Sequence, residues 1–69
     1  MSFGTKIRIL REKKGISRTC CDEILNLMHG TFSNLENGYQ VPEEELLPEI
    51  AGFFGIGLMD LLSTEPIIC

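Results

Sequence analysis

The chain has 69 residues, of which 43% are hydrophobic and 23% are charged, and its formal net charge is −4 at pH 7. This length allows one small domain, and the composition is that of a globular protein rather than a disordered chain. No apolar run approaches the ~20 residues of a membrane-spanning helix and no signal-peptide pattern is present, so we expect a soluble, cytoplasmic protein with no membrane partner.

The first predicted helix runs from about residue 3 to residue 14, with Ser2 as its N-cap. Gly15 follows it, in the position where a left-handed residue ends many helices. Three apolar residues recur at helical spacing and should form its buried stripe: Phe3, Ile7 and Leu10. The basic residues should face away from this stripe: Lys6, Arg8, Arg11, Lys13 and Lys14.

Two short helices should follow, the first capped by Ser17 and ending near residue 25. Its core positions should be Cys21 and Leu25, with Ile24 as a further apolar residue. Asn26 occupies the turn, because asparagine tolerates a positive φ better than other non-glycine residues. The third helix should run from about Met28 to Asn37, bury Phe32 and Leu35, and end at Gly38. The stretch 17–38 therefore predicts a helix-turn-helix, a motif that presents its second helix to a DNA major groove.

The fourth predicted helix opens at Pro42, and three glutamates, Glu43, Glu44 and Glu45, suit the positive end of its dipole. Its apolar stripe should comprise Leu47, Ile50, Ala51 and Phe54, ending at Gly55. Pro48 lies inside this stretch and predicts a late start or a kink. After Gly57, a last short helix should turn Leu58, Leu61 and Leu62 inward. We therefore expect an all-α, compact five-helix bundle over residues 1–62 and a loosely held tail over residues 63–69.

The three cysteines and the single histidine offer little chemistry. The odd number of cysteines and their lack of the regular spacing of a disulfide framework favour reduced thiols. A zinc site built from Cys20, Cys21 and His29 is conceivable, but adjacent helical residues point about 100° apart and no second ligand pair exists. Cys21 as a buried apolar residue is the preferred interpretation. Since no nucleophile–base pair or glycine-rich phosphate loop is present, we expect no enzyme activity, no small-molecule substrate, and no metal or other cofactor.

Charge is distributed very unevenly along the sequence. The first 18 residues hold all six basic residues and one acidic residue, whereas the remainder holds nine acidic residues and no Lys or Arg. DNA-binding domains normally carry a basic surface. Here such a surface can come only from the N-terminal end.

Five short segments occur in a characteristic order: K-I-R-I-L-R-E-K-K-G-I-S at 6–17, L-E-N-G at 35–38, Pro42, L-x-x-I-A at 47–51, and F-G-I followed by L-x-x-L-L. Together they resemble the Cro/C1-type helix-turn-helix regulators, also called the xenobiotic-response-element-like family, over about residues 3–62. The resemblance implies a lambda-repressor-like fold with helix 3 as the recognition helix.

The resemblance also implies roles for particular residues. Arg11 and Glu36 should form a partly buried ion pair that ties the first helix to the recognition helix. The expected phosphate contacts are Arg11, Arg18, Asn37, Tyr39 and Gln40. The expected base contacts are His29, Gly30, Ser33 and Asn34, and two further residues, Met28 and Thr31, could touch thymine methyl groups.

Three departures from the family pattern leave two functions open. Asp22 stands where the family favours alanine, so its carboxylate should reach solvent or cost stability. Met28 replaces the usual polar cap, and no base-contacting position carries arginine. The leading prediction is a sequence-specific, double-stranded-DNA-binding transcriptional regulator. The alternative is a protein-interaction module on the same fold, with weak or no DNA binding, which the acidic composition would suit.

A monomer of this chain would make only about two to four charged contacts with DNA and should bind poorly at physiological salt. Dimerisation on a two-fold site is the usual remedy. Several apolar residues are not needed by the core stripes: Ile9, Phe53, Met59, Ile67 and Ile68. We expect a homodimer through helices 4 and 5 with Phe53 and Met59 at the interface; the alternative is that these are ordinary scattered surface residues.

Overall fold

The computed structural model describes residues 2–63, and within them the chain forms five α-helices and no β-strand. The helices are α1 (Phe3–Lys14), α2 (Arg18–Ile24), α3 (Thr31–Asn37), α4 (Leu46–Phe54) and α5 (Leu58–Leu62). The predicted all-α fold class is therefore confirmed. Across the described residues, no helix combines the length and the apolar character that crossing a membrane requires. Most of the predicted tail, residues 64–69 with Ile67 and Ile68, lies outside the described residues.

A single apolar core joins the helices. Its fully or almost fully buried members are Ile7, Leu10, Cys21, Phe32, Leu35, Leu46, Ile50, Ala51 and Leu61. Phe32 of α3 is completely buried and meets the ring of Phe54 edge-on, with centroids 6.3 Å apart. α3 packs against α1 and α2, while α5 packs against α1 and α4. The predicted recognition helix α3 thus packs against two other helices, α1 and α2.

Local sequence signals fix several helix ends as predicted. Ser2 Oγ accepts a hydrogen bond from the Thr5 amide at 3.2 Å, and Ser17 Oγ accepts one from the Cys20 amide at 3.1 Å. Asn26 adopts the left-handed conformation, with φ of 57°, in the turn after α2. Each cap satisfies backbone groups that a helix end leaves without an intrahelical partner.

Gly4 allows α1 and α3 to approach closely. A Cβ atom at this position would lie 2.3 Å from the carbonyl oxygen of Glu36 and 2.7 Å from that of Leu35. Both neighbours are backbone atoms, which cannot rotate away. The α1–α3 contact therefore requires glycine here.

One predicted helix start is wrong, and a second falls late, as Pro48 indicates. α3 begins at Thr31 and not at Met28, because Gly30 has φ of 90° and interrupts the helical backbone. α4 begins at Leu46, and the acidic residues 43–45 form a turn before it. Pro48 then falls in the first turn of α4, where its missing N–H costs no hydrogen bond, so the predicted late start is confirmed. Consequently Leu46 is buried in the core, whereas Leu47 is only partly buried.

Two apolar side chains and one lysine also depart from expectation. The short helix α5 turns only Leu61 into the core, so Leu58 and Leu62 are partly exposed. Lys6 does not face solvent: it is buried, and its Nζ donates hydrogen bonds to the carbonyl oxygens of Asp60 and Ser63, the second at 2.8 Å. Carbonyl groups at the end of a helix lack intrahelical partners and attract cations, which explains the contact.

Candidate nucleic-acid interface

The connection between α2 and α3 spans residues 25–30 and is ordered by backbone hydrogen bonds. The Leu27 amide donates to the carbonyl of Asp22 at 2.7 Å, and the Thr31 amide donates to the carbonyl of Met28 at 3.0 Å. Together with the left-handed Asn26, these bonds hold α3 in a fixed orientation against α2.

Asp22 caps α3 from the preceding helix. Its side chain is buried, with Oδ2 accepting the Gly30 amide at 2.9 Å and Oδ1 accepting the Phe32 amide at 2.8 Å. Gly30 is the N-cap residue of α3 and has no side chain to perform this role. Of the two expected outcomes, that the carboxylate reaches solvent or that it costs stability, the first is wrong, and the cost of its burial is offset by two donors at the N-terminus of a helix. Met28 stands where the family usually has a polar residue that caps the recognition helix. Asp22 performs that capping role here.

Glu36 of α3 accepts hydrogen bonds from three arginines. Its side chain is fully buried; Arg11 Nε lies 2.7 Å from Oε2, and Arg18 Nε and Arg8 Nε lie 2.9 Å and 3.4 Å from Oε1. Arg11 Nη1 also donates to the carbonyl of Ile16 at 2.9 Å. The Arg11–Glu36 pair is the one that the family resemblance implies. The convergence of Arg8 and Arg18 on the same carboxylate was not foreseen. No spacing rule links residues 8, 18 and 36, so only the packing of α1, α2 and α3 brings them together.

The arginines hold Glu36 in its charged form. Burial raises the pKa of its carboxyl group, but hydrogen bonds from Arg11 and Arg18 outweigh that effect, and the pKa lies below the ordinary 4.5. The pKa of Arg11 is raised, chiefly by its hydrogen bond to Glu36. Three guanidinium groups against one carboxylate leave excess positive charge in this cluster.

That excess charge is accessible at Arg8 and Arg18. Their side chains are 40% and 44% exposed, whereas Arg11 is only 12% exposed. Arg11 is therefore committed mainly to Glu36 and the Ile16 carbonyl. Of the two arginines predicted to contact phosphate, Arg18 is the better placed, and Arg8 is an additional candidate.

The cluster continues onto the outer face of α3. Arg8 Nη2 donates to Asn37 Oδ1 at 3.3 Å, and Asn37 Nδ2 donates to Ser33 Oγ at 3.4 Å. Asn34 and His29 are exposed, and Gly30 and Ser33 are half-buried. A chain of hydrogen bonds thus runs from the basic first helix to two of the predicted contact residues.

The remaining predicted phosphate contacts lie in the loop after α3. Tyr39 and Gln40 are exposed, and the Tyr39 amide donates to the carbonyl of Asn34 at 2.9 Å. This bond follows Gly38, whose left-handed backbone, with φ of 78°, ends α3 as predicted. The loop therefore starts from a fixed position beside Asn37.

The two predicted dimer residues differ in environment. Phe53 is half-buried, packs against Phe54 with centroids 4.9 Å apart, and lies under Lys14 Nζ at 5.2 Å from its ring centre. Met59 is 82% exposed and stands beside the partly exposed Leu58. Phe53 thus has partners within its own chain, while Met59 is accessible. The homodimer stays a prediction.

A search with protein-family models found no match to this sequence, and a search of curated proteins found none either. The resemblance to Cro/C1-type regulators therefore rests on the motifs given above.

Proposed function

We propose that this chain is a sequence-specific, DNA-binding transcriptional regulator of the Cro/C1 type that acts in the cytoplasm, with α3 as its recognition helix. One observation carries the proposal. The exposed positive charge of Arg8 and Arg18 lies at the Asn37 end of α3, and short polar side chains line the same helix. Phosphate-binding and base-reading groups are thus available on neighbouring surfaces.

Phosphate binding would come chiefly from Arg18 and Arg8. Each engages Glu36 through Nε, and a guanidinium group carries further N–H donors that suit two phosphate oxygens. Asn37, Tyr39 and Gln40 would add uncharged hydrogen bonds to the backbone. Such contacts fix the position of a protein on the duplex and supply most of its affinity.

Base reading would come from the start and the outer face of α3. Asn34 could bond adenine through two hydrogen bonds, His29 could donate to guanine, and Ser33 could bond either base. Gly30 would let the backbone approach the groove. A good bidentate contact is worth about 1–3 kcal/mol of discrimination. Because arginine is absent from this face, we expect modest selectivity from each subunit.

A homodimer would double the number of contacts with DNA phosphates and bases. Phe53 and Met59 are the proposed interface residues, and Leu58 and Leu62 of α5 are further exposed apolar side chains. Two subunits would then read half-sites about one turn of DNA, ~34 Å, apart.

A protein-interaction module on this fold is the second candidate, and the burial of basic groups favours it. Lys6 is bound to backbone carbonyls and Arg11 is largely covered, so the cationic surface is smaller than the sequence suggests. Four large side chains with apolar groups that flank α3 in the sequence are also exposed: Ile24, Met28, Tyr39 and Val41.

Binding assays on selected and random duplexes test the DNA proposal. A preferred site is first selected from a random duplex library. Asn34→Ala should then weaken binding to the selected site but hardly affect random DNA, whereas Arg18→Gln should weaken both alike and reduce the salt slope by about one. Lys14→Gln is a control that removes one charge at the far end of α1. Failure to select any site, or equal losses on both duplexes for Asn34→Ala, would refute the assignment of α3 as a base reader.

A further inference from the structure

A groove with a volume of about 420 Å³ lies between the α2–α3 connection and the start of α4. Its apolar wall includes Leu25, Leu27 and Leu46, all three of which belong to the core or pack against it. Met28 also lines the groove and is 84% exposed. The groove thus offers an apolar surface continuous with the hydrophobic core.

Both walls of the groove are held by backbone hydrogen bonds. On one side, the Leu27 amide binds the Asp22 carbonyl at 2.7 Å; on the other, the Leu46 amide binds the Glu43 carbonyl at 3.0 Å. A site whose walls are already ordered loses little conformational entropy when it is occupied.

Three carboxylates border this apolar surface: Glu43, Glu45 and Glu49. All three residues are exposed, and among the described residues that line the groove none is basic. The N-terminus of α4 offers about half a positive charge, which is small against three carboxylates. The groove is therefore strongly negative, and it favours a cationic peptide over an acidic one.

These carboxylates are spread along the groove and do not converge on a point. Within residues 2–63, no three His, Cys, Asp or Glu side chains are grouped closely enough to hold a metal ion. An elongated occupant that carries several separate positive charges fits this spacing better than a single ion does.

We propose that this groove binds a basic segment of a partner protein. An apolar side chain of the segment would pack against Leu25, Leu27 and Met28, and its Lys or Arg side chains would pair with Glu43, Glu45 and Glu49. This binding goes beyond the proposed DNA contact and does not depend on it, although Met28, Thr31 and Gln40 line the groove and are also among the expected DNA contacts.

Titration of the ¹⁵N-labelled chain with two synthetic peptides tests this proposal. The probe is an acetylated Lys-Leu-Lys-Lys-Leu-Lys peptide, and the comparison peptide carries glutamate in place of every lysine. At about 50 mM salt, the basic peptide should shift the amide signals of the groove residues, and the acidic peptide should not. Absence of any shift with the basic peptide, or equal shifts with both peptides, would overturn the proposal.

A pair of charge-matched variants separates the groove from general electrostatics. The affinity for the basic peptide should fall about fivefold or more in the triple variant Glu43→Gln/Glu45→Gln/Glu49→Gln, because each exposed ion pair contributes a modest part of the binding. The control Glu12→Gln/Glu23→Gln/Glu44→Gln removes three exposed acids that do not line the groove and should change the affinity less than about twofold. All six residues are exposed, so both variants should fold, which circular dichroism verifies.

Two results would contradict the assignment of the occupant. Equal weakening by both triple variants would mean that only net charge attracts the peptide. Concentration-dependent dimerisation that the groove variant abolishes would instead identify a second copy of this chain as the occupant, and sedimentation velocity detects it.

Discussion

Replacing Asp22 with alanine should destabilise the domain severely, because this side chain caps α3 from another helix. The substitution removes the acceptors of the Gly30 and Phe32 amides, which lie 2.9 and 2.8 Å from the carboxylate oxygens. The Phe32 amide is buried, so water cannot easily replace the lost acceptor.

The expected magnitude follows from these two bonds. A hydrogen bond to a charged group contributes about 1.5–3 kcal/mol, and loss of an N-cap side chain costs about 0.5–2 kcal/mol. Removing the carboxylate also removes the cost of burying it, so we expect a net loss of about 2–4 kcal/mol. A chain of 69 residues has a free energy of unfolding of about 3–10 kcal/mol, so this loss is a large fraction of the total.

Urea and thermal unfolding followed by circular dichroism measure the effect. The melting temperature of Asp22→Ala should fall by about 8–30 °C, since 1 kcal/mol corresponds to about 4–8 °C in a domain of this size. Glu23→Ala is the matched control, because it removes an exposed acid from the next position of α2 and should cost less than about 0.5 kcal/mol. Asp22→Asn keeps one acceptor oxygen and should lie between the two. Equal stability of the Asp22→Ala and Glu23→Ala variants would refute the capping role.

Three further predictions concern packing, pH and reactivity. Gly4→Ala should lower the free energy of unfolding by about 1–3 kcal/mol, because its Cβ would collide with the backbone of α3. Gly52→Ala is the control and should raise the free energy of unfolding by up to about 1 kcal/mol, because a Cβ there meets nothing within 4 Å. Equal effects of the two substitutions in thermal unfolding would contradict the close approach of α1 and α3. The pKa of Glu36 lies below 4.5, so its charged form stabilises the fold above that pH and the contribution is lost as the pH falls through the lowered pKa. Glu36→Gln should therefore be less stable at pH 7 and show a shallower loss of stability below pH 4.5 in acid titrations; an unchanged slope would refute it. Burial raises the pKa of the Cys21 thiol to about 11, so iodoacetamide at pH 8 should modify Cys21 only as fast as the chain unfolds. Peptide mass spectrometry measures the rate of modification. Rapid labelling of Cys21 in the native chain would contradict its burial.

The parts of the fold that sequence predicts well depend on neighbours along the chain. Ser2, Ser17 and Asn26 act through residues within one helical turn, so their roles are visible as local patterns. The same holds for Phe32 and Leu35, whose spacing places both on the buried face of α3.

The parts that sequence misses depend on contacts between distant segments. Lysine side chains are usually exposed, so the sequence predicts an exposed Lys6, yet its Nζ donates to carbonyl groups 54 and 57 positions away. Asp22 is an acidic residue at a buried position of α2, and its hydrogen-bond partners are amides at the start of α3. Of the candidate site, the family resemblance implies the Arg11–Glu36 pair and the contact residues on the outer face of α3. The recruitment of Arg8 and Arg18 to Glu36 depends on tertiary packing that no local pattern encodes.

The affinity of the folded chain for random duplex DNA, measured from about 50 to 200 mM salt, tests the central proposal most directly. DNA binding through Arg8, Arg18 and neighbouring groups predicts that the logarithm of the association constant falls linearly with the logarithm of salt concentration. The slope should be about −0.9 for each phosphate neutralised, or about −2 to −4 per subunit. A chain that is folded by circular dichroism but shows no binding at 50 mM salt, or binding that does not depend on salt, would contradict the proposal.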